Sequence, residues 1–398
     1  MRLINHVFIA SLLSLTLTAC GGGSGGTKSN PPVASTANPS SAASVSSTAS
    51  SSSQASSNNS SNSSSSSSSK NTVSSTSSAV STQSLKLSNP TPSREAVALF
   101  DYLKDSYRNK TLTGQQESMW MPDGPLHELN FIAKNTGAKA PAILGLDYLN
   151  HLNKSEVDGV TQRAADWYLT KGGISTICWH WGAPTIGQGY DNSKKAFDIN
   201  KALTEGTTEN LAMMRDLDVV AAELTKLRDK GVPVLWRPFH EFTGTWFWWG
   251  MGGSEGFKKL WIKMYNYYTI DKGLNNLVWV LGYTGEPKAT YYPGDQYVDI
   301  AAADTYVNDN GSLITLYRNV EKIVGKNRPI ALHENGPIPD PDKVIADGAD
   351  WLYFMTWHTS FLTDGKSNTP ESLNKAYNHD RYITRDEIPN LPNYKSAN

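Results

Sequence analysis

The segment VPVLWRPFHEFTGTWFWWG, residues 232–250, decides the fold. It opens on a short apolar run and passes through Arg237-Pro238-Phe239-His240-Glu241 into four consecutive aromatics. The part Val232–His240 reads as a strand with a polar end. Seven other stretches have the same character: Thr111–Gln116, Ala142–Tyr148, Gly173–His180, Leu277–Tyr283, Val298–Tyr306, Pro329–Glu334 and Tyr353–His358. Amphipathic helical patterns fall between them, near Ser93–Tyr107, Gly159–Thr170, Leu211–Lys230, Glu255–Tyr268, Ser312–Val324 and Pro341–Ala349. Eight strands alternating with helices predict an α/β protein, a single (β/α)8 TIM barrel. The competing doubly wound open sheet lacks support as a nucleotide binder. No Gly-x-Gly-x-x-Gly follows the first strand, and no phosphate loop is present.

Upstream of this body the composition changes abruptly. No aromatic occurs between Phe8 and Phe100, and Lys28 and Lys70 are the only charged residues between Gly21 and Ser84. Such a Ser-rich stretch buries too little apolar surface to offset its ordering entropy, so residues 20–87 are expected to be a disordered linker. The formal net charge of −1 and the absence of a long basic run give no footprint for nucleic acid. A neutral polysaccharide suits this balance.

The two cysteines are Cys20 and Cys178. An apolar run from Val7 to Ala19, too short for a comfortable membrane span, precedes Cys20. Leu17-Thr18-Ala19-Cys20 resembles the bacterial lipobox, which implies a signal peptide over 1–19 and lipidation of Cys20. Membrane contact would then run through the lipid alone, with the protein anchored to the bacterial cell envelope or secreted. Cys178 is left without a partner and is expected to be a small buried hydrophobe.

Barrel active sites lie at the C-terminal ends of the strands. Read in order, those ends carry Trp179-His180-Trp181, Arg237 to Glu241, Asp304-Thr305-Tyr306, His333-Glu334-Asn335-Gly336 and Trp357-His358. Glu241 and Glu334 thus face one mouth from nearly opposite strands. A retaining glycosidase needs two carboxyl groups about 5–5.5 Å apart, one protonating the leaving oxygen and one attacking the anomeric carbon. Trp246-Phe247-Trp248-Trp249, close after Glu241, is hard to place in a core, and Trp246 is expected to be a sugar platform, with Trp357 as another. A metalloprotease His-Glu-x-x-His fails because position 244 is glycine. No tight metal-ligand spacing and no Gly-x-Ser-x-Gly elbow occurs, so neither a metal nor a cofactor is expected.

The motif WRPFHEFTGTWFWWG, residues 236–250, resembles the fourth-strand motif of glycoside hydrolase family 26, whose best-known members are β-1,4-mannanases. LTGQQ, PAILGLDY, GGISTICWHWGAP, YYPGDQYVDIAAADTY and PIALHENGPIPDPD extend the resemblance over essentially the whole body, taken as a catalytic domain over 88–398. It implies retaining hydrolysis of internal bonds in mannan, glucomannan or galactomannan, with Glu241 as acid/base and Glu334 as nucleophile. It further implies that Tyr306 bonds the nucleophile, that His180 and Trp357 line the central sugar site, that His240 orients groups beside the acid/base, and that Trp246 shapes the leaving-group side. Many members carry Ser-Glu or Thr-Glu at strand seven, where this chain has His333-Glu334. The family also admits β-1,3-xylanase and mixed-linkage β-glucanase activities. A non-catalytic carbohydrate-binding lipoprotein is the reading from another class. The protein is expected to act as a monomer.

Overall fold

The computed structural model describes residues 85–149 and 159–395. The signal segment, Cys20 and the linker as far as Ser84 lie outside the described residues. Among the described residues ten strands occur: β1 (Thr111–Leu112), β2 (Gly114–Gln116), β3 (Ile143–Asp147), β4 (Ile174–Cys178), β5 (Val234–Arg237), β6 (Leu277–Tyr283), β7 (Ile300–Thr305), β8 (Ile330–Asn335), β9 (Phe354–Thr356) and β10 (Tyr382–Ile383). Strands β2 to β9 close a parallel barrel in sequence order, with the last seam at Gln115 and Thr356. The expected eight-stranded (β/α)8 architecture is therefore present. Among the described residues no helix is long and apolar enough to cross a membrane.

Two strand expectations need correction. The first predicted strand, Thr111–Gln116, is two pieces. Thr111 and Leu112 pair with Tyr382 and Ile383 in a separate two-stranded ribbon, and only Gly114–Gln116 belongs to the barrel. The break lies at Thr113, whose N–H and hydroxyl both donate to the Ile383 carbonyl and turn the chain from ribbon to barrel. The fourth predicted strand, Val232–His240, is shorter, because Phe239 and Glu241 take left-handed φ values of 52° and 57°. Among the described residues two helices of eight residues or more also escape the periodicity reading. His127–Thr136 starts without a side-chain cap, so it carries no start signal. Pro370–Tyr377 does carry one, Thr369 accepting from the Ser372 N–H with Pro370 at the first helical position.

The aromatic excess is mostly core. Trp179, Trp181, Trp236, Trp248, Trp249, Trp261, Trp279 and Trp351 are fully buried. β6 is buried along its whole length, as expected for a strand covered on both faces. Cys178 is also fully buried, and burial pushes its thiol well above the ordinary range, so it behaves as a hydrophobe.

Gly114 shows how closely the barrel seam packs. A Cβ placed there would lie 2.3 Å from the Phe354 carbonyl oxygen, which is backbone and cannot swing away. Gly114→Ala should therefore lower the unfolding free energy by about 1–3 kcal/mol, seen as a lower urea midpoint. A midpoint equal to the parent's would contradict this packing.

Candidate active site

All seven candidate side chains, His180, His240, Glu241, Trp246, Tyr306, Glu334 and Trp357, project from the C-terminal ends of the strands or from the segments that follow them. Carboxylate oxygens of Glu241 and Glu334 lie within 4.8 Å of each other, and Asp304 contributes a third within the same distance. The left-handed corner after β5 creates this approach. Its Glu241 N–H donates to the Gly282 carbonyl at 2.8 Å, holding the corner against β6. Positive φ at bulky residues is rare and costs about 1–3 kcal/mol each, so the surroundings must hold it in place. They do so through aromatics. Trp249 donates its indole N–H to the His240 carbonyl and Trp248 to the Trp181 carbonyl, both at 2.8 Å.

The aromatic quartet thus divides in a way its sequence does not show. Phe247, Trp248 and Trp249 are buried supports, with Phe247 and Trp249 stacked at 4.5 Å. Only Trp246 is exposed, and its indole N–H donates to Glu241 Oε2 at 2.7 Å. Gly244 makes room, since a Cβ there would meet the Trp246 ring at 2.4 Å.

Glu334 is surrounded differently. Arg237 Nη1 donates to Oε1 at 2.5 Å, and the Tyr306 hydroxyl donates to Oε2 at 2.9 Å. Burial pushes the Glu334 carboxyl up and Glu241 adds to this, while the Arg237 guanidinium opposes it; the net direction is upward from the ordinary value. Arg237 is itself fully buried and also donates to His333 Nδ1 at 2.8 Å. His333 Nε2 donates to the Tyr283 carbonyl at 2.9 Å, which selects the tautomer with a free lone pair on Nδ1. Burial first, and then Arg237, hold His333 neutral by pushing its pKa well down. The imidazole fits because residue 282 is glycine: a Cβ there would lie 2.7 Å from Nε2.

Beside this pair runs a second chain of polar groups. Asp147 accepts from His180 at Nδ1 and at the backbone N–H, the latter at 3.0 Å. His180 Nε2 then lies 3.0 Å from His240 Nε2, which is 3.8 Å from Glu334 Oε1. Burial opposes charge on His180, but Asp147 outweighs it and the pKa rises. Burial, reinforced by His180, pushes His240 well down, so of the two imidazoles His180 holds a proton the more strongly. The half-buried Trp357 completes the floor, its ring 6.1 Å from that of His180.

Sequence reasoning gave Asp304, Arg237 and His333 no role, although all three are buried beside the carboxylates. Asp304 bonds Glu241, and burial followed by the Glu241 charge pushes it well above the ordinary carboxyl range. Strand alternation was the available signal: Asp304 and Tyr306 are two apart and share a face. For Arg237 the signal was a cation at the end of an apolar run, which needs a buried counter-charge. Three clustered carboxyls resemble a divalent-cation site by composition. Here Glu241 accepts from Trp246, Glu334 accepts from Arg237 and Tyr306, and Asp304 bonds Glu241, so a guanidinium already answers the cluster's charge. In the other cluster, Asp147, Cys178 and His180, the imidazole Nδ1 is taken by Asp147.

The Asp147–His180 pair has a predictable pH signature. A raised His180 pKa stabilises the fold fully below about 6.5 and is lost as pH rises through the folded value. For Asp147, burial pushes the carboxyl up but His180 carries it lower, so its contribution is present above about 3.9 and lost on acidification. Both contributions coexist between about pH 4 and 6.5. Asp147→Asn should shift the His180 imidazole NMR titration to lower pH. An unmoved titration would mean Asp147 does not hold the charge.

Comparison with known proteins places this geometry in a family. The sequence profile of Glycosyl hydrolase family 26 matches residues 88–387. A curated mannan endo-1,4-beta-mannosidase from Thermothelomyces thermophilus is 35% identical over 316 residues, covering 76% of this chain and 63% of the relative. Mannan endo-1,4-beta-mannosidase B from Piromyces sp is 33% identical over 325 residues, covering 78% of this chain and 56% of the relative. The chain thus spans less than two thirds of the length of these relatives. Among solved structures, the Podospora anserina GH26-CBM35 beta-(1,4)-mannanase superposes with a TM-score of 0.71 at 34% identity, over 77% of this chain and 70% of that one. The beta-mannanase of a symbiotic protist of the termite Reticulitermes speratus, complexed with gluco-manno-oligosaccharide, gives 0.71 at 31% identity, over 77% and 98%. A closed barrel with two facing carboxylates at these strand ends, matched along most of the chain, leads to one assignment: the protein belongs to glycoside hydrolase family 26.

Proposed function

We propose that the protein is a retaining endo-β-1,4-mannanase acting on mannan, glucomannan or galactomannan. The observation that carries the mechanism is the approach of Glu241 and Glu334 to within 4.8 Å. Retaining enzymes hold their carboxyl groups about 5–5.5 Å apart, whereas inverting ones leave about 6.5–9.5 Å for a water. The mannan specificity is supported by the named activity of the family relatives. The tether through Cys20 rests on the sequence alone.

In this reading Glu334 is the nucleophile. One of its oxygens attacks the anomeric carbon as the glycosidic C–O bond breaks, and Glu241 gives its proton to the departing oxygen. A water then yields a proton to Glu241 and attacks the same carbon, and Glu334 leaves as a carboxylate. Two inversions retain the anomeric configuration. Arg237 and Tyr306 orient Glu334, and the guanidinium favours its charged form against the opposing effect of burial. Asp304 is hydrogen-bonded to Glu241, and burial followed by the Glu241 charge drives its carboxyl toward the neutral form. Trp246, bonded to Glu241, is the face offered to the leaving-group sugar. Trp357 is the floor beneath the sugar under attack.

Glu334→Ala should abolish turnover of mannan while leaving polysaccharide binding largely intact in affinity electrophoresis. Near-normal activity would sink the assignment. Glu241→Ala should lose about 10²–10⁴-fold on mannan and far less on aryl mannosides with good leaving groups, with azide restoring the rate. Equal losses on both substrates would count against the acid/base role. NMR of the first-formed anomer should show retention.

A further inference from the structure

β8 carries one residue more than its neighbours can pair. Along β7 the register steps from Leu332 opposite Ala303 to Glu334 opposite Asp304, so His333 faces no partner. Toward β9 the register agrees: Leu332 pairs with Phe354 and Asn335 with Thr356, three steps on β8 against two. An extra residue of this kind re-aims the side chains around it, and such bulges gather beside active sites. Here it removes the alternation that sends consecutive side chains to opposite faces of a strand. His333 and Glu334 both reach one nitrogen, Arg237 Nη1, at 2.8 and 2.5 Å.

The far side of the imidazole is anchored two strands away. Nε2 donates to the Tyr283 carbonyl at the end of β6, past β7. The residues on either side of Tyr283 hold the other carboxylate. The Gly282 carbonyl accepts from the Glu241 N–H at 2.8 Å, and the Thr284 N–H donates to Thr243 Oγ1 at 3.1 Å. Residues 282–284 therefore hold in turn the backbone of Glu241, the ring of His333 and the side chain two beyond Glu241. Space for the ring is reserved at the same place. Gly282 lies inside β6 without a positive φ, so conformation does not call for glycine. A Cβ there would have His333 Nε2, Cε1 and Cδ2 as its nearest neighbours, at 2.7, 2.9 and 3.0 Å. A mere core filler would need neither an extra residue in its strand nor a glycine two strands off.

We propose that His333 is a positioning residue for the nucleophile, a strut that sets Glu334, through Arg237, against the end of β6 on which the Glu241 corner also hangs. Both carboxylates are thereby referred to one short piece of backbone, and their separation is fixed from it. This rests on the mannanase reading above, whose retaining mechanism needs that separation. In this role His333 transfers no proton and acts only through Arg237. Orientation alone is worth rate, because a reacting group misplaced by about 1 Å costs about a hundredfold.

The test combines Gly282→Ala and His333→Ala, singly and together, on mannohexaose and on an aryl mannobioside with a good leaving group. Each single variant should lose about tenfold to hundredfold in kcat with KM within about twofold of the parent's, because the sugar-binding surface is untouched. The loss should be the same on both substrates, since the nucleophile serves either, whereas damage to the Glu241 corner would spare the activated one. In the His333→Ala background, Gly282→Ala should cost nothing further, the added methyl having no ring to meet. An unchanged kcat, losses that multiply, a loss confined to mannohexaose, or one that falls on KM would overturn the strut and leave the mannanase reading standing. So would unfolding of both single variants by circular dichroism, which would make the bulge a folding element. A parent that cleaves neither substrate would overturn that reading, and the strut with it.

Discussion

The site depends on one buried ion pair, Arg237 with Glu334. Both side chains are almost wholly removed from water, and the contact is 2.5 Å. Two charges in such a place are stable only when their remaining hydrogen-bonding capacity is met, and removing one partner of such a pair costs about 3–5 kcal/mol. Tyr306 and His333 each supply one further hydrogen bond, Tyr306 to Glu334 and His333 to Arg237. His333 matters because it is neutral. A protonated imidazole at Nδ1 would repel the guanidinium; the bond from Nε2 to the Tyr283 carbonyl keeps an acceptor facing it. The absence of a side chain at Gly282 is what allows this ring so near β6. His333 is thus accommodated by the missing side chain of a residue on another strand.

A second constraint is the corner after β5. A regular strand would continue past Arg237 and alternate its side chains, leaving Glu241 without its present approach to Glu334. The left-handed residues Phe239 and Glu241 bend the chain, and a block of buried aromatics holds the bend. This explains the consecutive aromatics. Three of them stabilise a strained corner, and the fourth reaches the surface against the carboxylate that the corner positions.

Carboxyl crowding follows from both constraints. Glu241, Asp304 and Glu334 converge, so their charges compete, and the protein answers with unlike surroundings. Glu334 receives a guanidinium and a phenol; Asp304 is buried against Glu241 and driven toward its neutral form. Two carboxyl groups with opposite duties need such asymmetry, since identical surroundings would give them similar proton affinities.

Much of this was legible in the sequence. The eight apolar runs, the helices between them and the polar strand ends are local signals, and they identify the barrel and the positions of Glu241 and Glu334. Local pattern also separates the aromatic-poor N-terminal stretch from the body. What needed the tertiary structure was every feature in which distant segments meet. The sequence alone does not reveal that Thr111–Leu112 pairs with a ribbon near the C-terminus, because a hydrogen bond across some 270 residues leaves no periodicity. Nor does it show that Trp248 and Trp249 are buried while Trp246 is exposed, since that follows from two positive φ angles. Residue type and spacing determined which chemistry was available. Packing between strands decided which carboxylate meets a guanidinium and which meets another acid, because charge and burial act through space and not along the chain.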